Sequence, residues 1–191
     1  LEDEFGDDMG TGWKTITLRD LLSHSSGITE DCIFPSVSGY SGMTTEQRIA
    51  RLLERHEHPG NPIGVFSYNN SNFGILGKVV EVVSGKGFMQ FLKEEVYSPI
   101  GIEDIYAGGN SESDALSREV TYYGQGGKDA YGNDVEAGVA AGGVIASTPA
   151  LMKLMAHLDY GTKVKDIFKK ETLDLMYTAK EGMKTTSGSA W

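Results

Sequence analysis

The run Phe66-Ser67-Tyr68-Asn69-Asn70-Ser71-Asn72-Phe73-Gly74-Ile75-Leu76-Gly77 sets a phenol and a carboxamide two residues apart, directly ahead of a helix able to anchor them. Tyr68 can point its hydroxyl into a cleft, while the amide of Asn70 offers a bound ligand both a donor and an acceptor. A tyrosine hydroxyl relays protons when a nearby cation stabilises its anion. No lysine lies between Arg55 and Lys78, so that cation must come from tertiary contact. On residue chemistry alone the pair reads first as a structural tyrosine and a capping asparagine.

Other chemistry-bearing residues are less suggestive. The histidines are His24, His56, His58 and His157, and none falls in a His-Glu-x-x-His pattern. His56 and His58 would share a face on a strand, but they follow a helical pattern and precede Pro59-Gly60, so no metal site is expected there. His24, within Leu21-Leu22-Ser23-His24-Ser25-Ser26-Gly27, reads as a helix-end residue bonded to backbone rather than as a catalytic base. No Gly-x-Gly-x-x-Gly follows a strand, and neither a Gly-x-x-x-x-Gly-Lys-Ser/Thr loop nor a Gly-x-Ser-x-Gly elbow occurs. No cofactor is therefore expected. Cys32 is the single cysteine, which excludes an internal disulfide and a cysteine-based metal cluster.

The elements that must position Tyr68 and Asn70 are mostly helical. Residues 1–13 read as a polar lead-in, and the five acids among the first ten positions do not follow the calcium-loop spacing. Thr17 with Asp20 and Thr44 with Gln47 form two capping-box signals, the second opening a helix with Ile49, Leu52 and Leu53 on one face. Between them, residues 28–43 read as an ordered loop in which Ile33, Phe34 and Tyr40 cover a core edge. The longest helix is expected over Ser71 to Ser84, with Phe73, Leu76, Val80 and Val83 inward and Gly85 as its stop. A second helix from Gly87 to Tyr97 completes a hairpin and ends before Pro99.

Seven glycines make residues 102–138 a long loop-rich segment, with a short strand expected at Val120 to Tyr123. Thr148 and Pro149 then open a helix carrying Leu151, Leu154, Met155 and Leu158 inward. A last helical portion, between Lys165 and Tyr177, uses Ile167, Phe168, Leu173 and Met176. The whole reads as a single mainly helical domain over 1–191.

A chain of 191 residues with 39% hydrophobic content can bury a substantial core. Its 27 acidic and 17 basic side chains, a formal charge of −10, disfavour nucleic acid as a partner. No apolar run is long enough for a membrane span, and no signal peptide is apparent. The first residue is not Met, so the chain is expected to begin inside a longer protein.

Four stretches together resemble the serine β-lactamase superfamily, in particular its class C β-lactamase, DD-peptidase and esterase group. They are Ile16 to Ile28, Pro59-Gly60 with Phe66 to Gly77, Glu95 to Gly101, and Ala141 to Thr148. The resemblance implies acyl transfer by a serine of a Ser-x-x-Lys helix, with the lysine and a tyrosine sharing the proton. Carried onto this chain, the catalytic tyrosine is Tyr68 and the substrate-binding asparagine is Asn70. Ser-x-x-Lys is absent from the chain, and Lys184-Thr185-Thr186 lacks the glycine of the family's Lys-Thr-Gly. His58-Pro59-Gly60 has the letters of the His-x-Gly variant but precedes Tyr68.

The resemblance thus implies the mainly α, helical middle region of a β-lactamase/DD-peptidase-like α/β fold, with the αβα sheet domain largely absent. The nucleophile is expected upstream, and the chain by itself is expected to be inactive and prone to self-association. The implied partner is a small acyl substrate or a peptidoglycan peptide; the residues themselves leave the compartment open, and the resemblance implies a cell-envelope or extracytoplasmic location for the parent protein. A noncatalytic module binding peptidoglycan or protein on the same scaffold is the alternative, and an independent helical interaction domain a second.

Overall fold

The computed structural model describes residues 12–34, 39–55, 60–127, 130–131, 134–178 and 184–185. Helices dominate. Both capping boxes form: Thr17 Oγ1 accepts from the Asp20 amide at 3.2 Å while Asp20 Oδ2 accepts from the Thr17 amide at 2.9 Å, opening α1 (Leu18–Leu22). Thr44 and Gln47 make the same exchange at 3.3 and 3.0 Å, opening α2 (Thr45–Arg55). Each satisfies two helix-end N–H groups that would otherwise lack partners. Ile49, Leu52 and Leu53 are buried as the spacing predicts, packing with Trp13, Leu21, Ile33 and Tyr40. Burying a side chain of this kind contributes roughly 1.5–3 kcal/mol.

β1 (Val65–Phe66) leads into α3 (Asn70–Ser84), which stops at Gly85 with φ 67°. Its buried face differs from expectation. Ser71, Asn72, Gly74, Ile75 and Gly77 lie inward, whereas Val83 is 82% exposed. The reason is close approach: a Cβ on Gly74 would lie 2.4 Å from Ile33 Cδ1, and one on Gly77 2.5 Å from Ala140 Cβ. Glycines lie where the helix meets its neighbours most tightly, so hydrophobic spacing misjudged the face by part of a turn.

α4 (Phe88–Phe91) runs into a π-helical turn, Leu92–Tyr97, and a 3₁₀ turn, Ser98–Ile100, that contains Pro99. β2 (Ile105–Ala107) pairs antiparallel with β3 (Val144–Ala146), Tyr106 opposite Ile145. Tyr97, Ile102, Ile105 and Ala150 make a second core cluster around this ribbon. The expected strand at Val120 to Tyr123 does not form; Tyr123 is 88% exposed, and the strand of this segment is instead β2. In α5 (Thr148–Ala156) Leu154 packs against the second core cluster as expected, whereas Leu151 and Met155 are exposed, and the cap is Ser147, whose Oγ accepts from the Ala150 amide. In α6 (Lys170–Tyr177) Leu173 is buried as expected, while Phe168 just before the helix and Met176 within it are exposed.

β4 (Lys184–Thr185) pairs parallel with β1, Val65 beside Lys184 and Phe66 beside Thr185. The Lys-Thr dipeptide set aside for lacking a glycine therefore runs alongside the strand that enters the Tyr68 turn. Among the described residues, no helix is long and apolar enough to cross a membrane. The His56 and His58 side chains, most of the polar lead-in and Trp191 lie outside the described residues.

Candidate active site

The site is a corner where residues 24–34 pass over the start of α3. Asn69, not Asn70, caps the helix, its Oδ1 accepting from the Ser71 amide at 2.8 Å and its Nδ2 donating to the Ile28 carbonyl at 3.1 Å. Asn70 is thereby left free of capping duty. The Tyr68 hydroxyl donates to Asn70 Oδ1 at 2.9 Å, and Asn70 Nδ2 donates to Asp31 Oδ2 at 2.8 Å. Tyr68 is 65% exposed. The two expected site residues are thus brought into direct contact at the surface.

His24 sits behind them in the left-handed region, φ 51°. Its ring lies 4.5 Å from the Tyr68 ring centroid and 5.1 Å from that of Phe73. Nδ1 accepts from the Asn69 backbone N–H at 3.3 Å, which bears out the expectation of a backbone-bonded histidine. Buried Asn72 contributes a second contact. Its Oδ1 accepts the Ser26 hydroxyl at 2.6 Å, which leaves Nδ2 to face His24 Nδ1 at 3.2 Å. With donors on Nδ1, the ring is neutral and carries its proton on Nε2.

Burial holds the His24 pKa below its ordinary value of 6.5. Because the folded pKa is depressed, the unfolded chain binds the proton more readily. The His24 contribution to stability is therefore complete above 6.5 and declines as pH falls from there through the folded value. Urea unfolding across this range should show a slope that the His24→Asn variant loses, since asparagine tolerates the same backbone region. Equal slopes in the two proteins would refute a neutral, donor-bound ring.

Cys32 is fully buried, and burial pushes its thiol up to about 11, so it is no nucleophile at neutral pH. Arg48, with a side chain 3% exposed, donates to the carbonyls of Met43 at 3.0 Å and Ile33 at 2.8 Å and pairs with Asp134. It holds the loop carrying Asp31 against α2. The family resemblance pointed to Tyr68 and Asn70, while Asp31, Asn69, Asn72 and Ser26 were missed. The asparagine-rich run itself was the available signal, since buried carboxamides need partners from another segment.

An exposed tyrosine bonded to Asn70 at the head of a glycine-packed helix, beside the turn from Ser23 to Gly27, is thus the frame of the site. The beta-lactamase family model matches residues 6–191, and the chain belongs to that family. Penicillin-binding protein 4 of Amycolatopsis lactamdurans is 30% identical over 92 residues, 47% of this chain and 23% of that protein. A D-stereospecific amidohydrolase from Streptomyces sp. shares the fold at TM-score 0.66 and 23% identity, over 94% of this chain and 56% of that one. D-amino acid amidase from Ochrobactrum anthropi SV3, complexed with L-phenylalanine amide, does so at TM-score 0.64 and 21% identity, over 86% and 47%. The chain therefore spans under a quarter of this curated relative and about half of each solved structure.

Proposed function

We propose that this chain carries the Tyr68 and Asn70 half of an acyl-transfer site in a serine hydrolase of the penicillin-recognising type. The supporting observation is Tyr68, an exposed residue whose hydroxyl is held by Asn70 and whose ring lies against that of His24. In the reaction a serine oxygen bonds to the carbonyl carbon of an amide, lactam or ester. The Tyr68 oxygen takes the serine proton as that bond forms while its own proton passes to the amine of the lysine in the Ser-x-x-Lys pair, and a proton returns by the same route to the leaving nitrogen or oxygen as the acyl bond breaks. Water then attacks the acyl-enzyme and releases the acid. Asn70 has a second N–H to offer a substrate oxygen.

The reading assigns the Ser-x-x-Lys pair, together with an αβα sheet domain, to protein outside these 191 residues, since the sequence contains no such pair. The 191 residues alone then do not turn over substrate, because preorganisation requires serine, lysine and oxyanion donors together. Exposed Leu151, Met152, Met155, Leu175 and Met176 on α5 and α6 support a covering by further protein, and self-association where that covering is missing. The names of the similar proteins, a penicillin-binding protein and two D-specific amide hydrolases, support a D-configured amide or peptidoglycan peptide as the substrate.

The test is intact-mass and peptide mapping of the full-length protein after brief incubation with a reporter penicillin, with the 191-residue chain as control. The expected result is an adduct on a serine of a Ser-x-x-Lys sequence, and none on the control. Absence of an adduct together with no hydrolysis of penicillin, ester or D-amino acid amide would sink the proposal. It would favour a noncatalytic module binding peptidoglycan or protein.

A further inference from the structure

An asparagine amide can be turned over with little change of shape, exchanging its oxygen and its NH2 group. The two orientations of Asn70 have opposite consequences for Tyr68. With the oxygen toward Tyr68, the hydroxyl must donate, and its proton has a fixed direction. With the NH2 group there, the phenol oxygen accepts instead and its proton is left to solvent. Something must therefore choose between them.

The choice is made on the other side of the amide. Asp31 Oδ2 lies 2.8 Å from Asn70 Nδ2, and a carboxylate only accepts, so it holds the NH2 group on its own side. The carboxylate is itself fixed. Its Oδ1 accepts from the backbone N–H groups of Ile33 at 3.0 Å and Phe34 at 2.9 Å. The backbone on both sides of Asp31 is strapped to the first turn of α3 through one hydroxyl: Ser71 Oγ donates to the Glu30 carbonyl at 2.9 Å and accepts from the Cys32 amide at 2.9 Å. Arg48 anchors the same loop at the Ile33 carbonyl, 2.8 Å away.

We propose that Asp31 is a positioning residue of the site: it fixes the amide orientation of Asn70 and thereby the direction of the Tyr68 hydroxyl proton. Its described side-chain contacts are to Asn70 and to the Ile33 and Phe34 N–H groups, so it acts through Asn70. The catalytic consequence rests on the hydrolase reading above, whereas the orientation of the amide does not.

The test is Asp31→Asn in the full-length protein, a change of nearly equal size. The introduced amide can keep its oxygen on the Ile33 and Phe34 N–H groups and turn its NH2 group to Asn70, which must then rotate to offer its own oxygen. Folding is preserved, and Tm is expected to stay close to that of the unaltered protein. Two readouts follow. The Asn70 side-chain amide resonances, assigned by their loss in Asn70→Ala, are expected to shift as the group leaves a carboxylate for the Tyr68 oxygen. The rate of acylation by a reporter penicillin is expected to fall about 10- to 100-fold with KM little changed, since the reacting groups are misdirected rather than unbound.

Unmoved amide resonances overturn the proposal, as does a shifted amide with an unchanged acylation rate. If the unaltered protein proves inactive toward penicillin, ester and D-amino acid amide, the hydrolase reading fails by itself, and the amide resonances still decide the role of Asp31 in orientation. Should the substitution unfold the corner, the unaltered protein is measured directly: protection of one Asn70 amide proton from solvent exchange supports the contact with Asp31, and free exchange of both overturns it.

Discussion

Tyr68→Phe in the full-length protein is expected to lower the acylation rate by about 10²–10⁴-fold, the usual range for removing a positioned general acid or base. The exchange deletes one oxygen and nothing else. The ring keeps its place against His24, 4.5 Å away, and against no deeper core, since Tyr68 is 65% exposed. Stability should accordingly move by no more than about 0.5 kcal/mol. The Asn70 oxygen that loses its donor is near the surface and can take water in its place. Pre-steady-state acylation of the two proteins by a reporter penicillin measures the ratio, and urea unfolding checks the fold. A rate within a few-fold of the parent would remove Tyr68 from the chemistry and leave it a surface aromatic.

The second large effect concerns Arg48→Ala, expected to destabilise the fold by about 3–5 kcal/mol, the range for stripping one partner from a buried ion pair. Arg48 is unusual in how many segments it joins. Its Nε meets the Met43 carbonyl and its Nη1 the Ile33 carbonyl, while Nη2 pairs with Asp134, whose other oxygen receives Asn110 Nδ2 at 3.1 Å and the Ala137 amide at 3.2 Å. Truncation leaves two carbonyls without their donor and a carboxylate without its cation. The Asp134 side chain is 35% exposed, so water recovers part of its share, which argues for the lower end of the range. Against a typical total of about 5–15 kcal/mol, that is a large fraction of the domain's stability. Equilibrium urea denaturation gives the number, and a loss below about 1 kcal/mol would show that the network is incidental.

The helix ends were legible because their signals are local: Thr17 with Asp20, Thr44 with Gln47 and Gly85 each act within four residues of where they stand. The interior faces were not, because they depend on what the helix meets. α3 turns its glycines inward toward Ile33 and Ala140, and a count of apolar residues has no means of scoring a side chain that is absent. β2 escaped notice since three residues of Ile105–Ala107 carry no alternation to read, while Val120 to Tyr123 has strand-like residues and no partner strand among the described residues. At the candidate site, Tyr68 and Asn70 were named through the family resemblance of their Tyr-x-Asn pattern, but Asp31 lies 39 positions from Asn70 and reaches it only through the folded loop.

Helix glycines are where protein engineers first look for added stability, since exchanging one for alanine in a helix interior typically gains roughly 0.5–1 kcal/mol. Gly74 and Gly77 offer no such opportunity. A methyl group at either would meet Ile33 or Ala140 well inside contact distance, and α3 would have to retreat from both segments. The segment that Gly74 faces holds Ile33 and Phe34, whose backbone N–H groups donate to Asp31 Oδ1. An attempt to stiffen the helix would thus lengthen the reach from Asp31 to Asn70, so thermostabilised variants selected without regard to turnover should leave these two positions alone and gather their changes on the solvent side of α3.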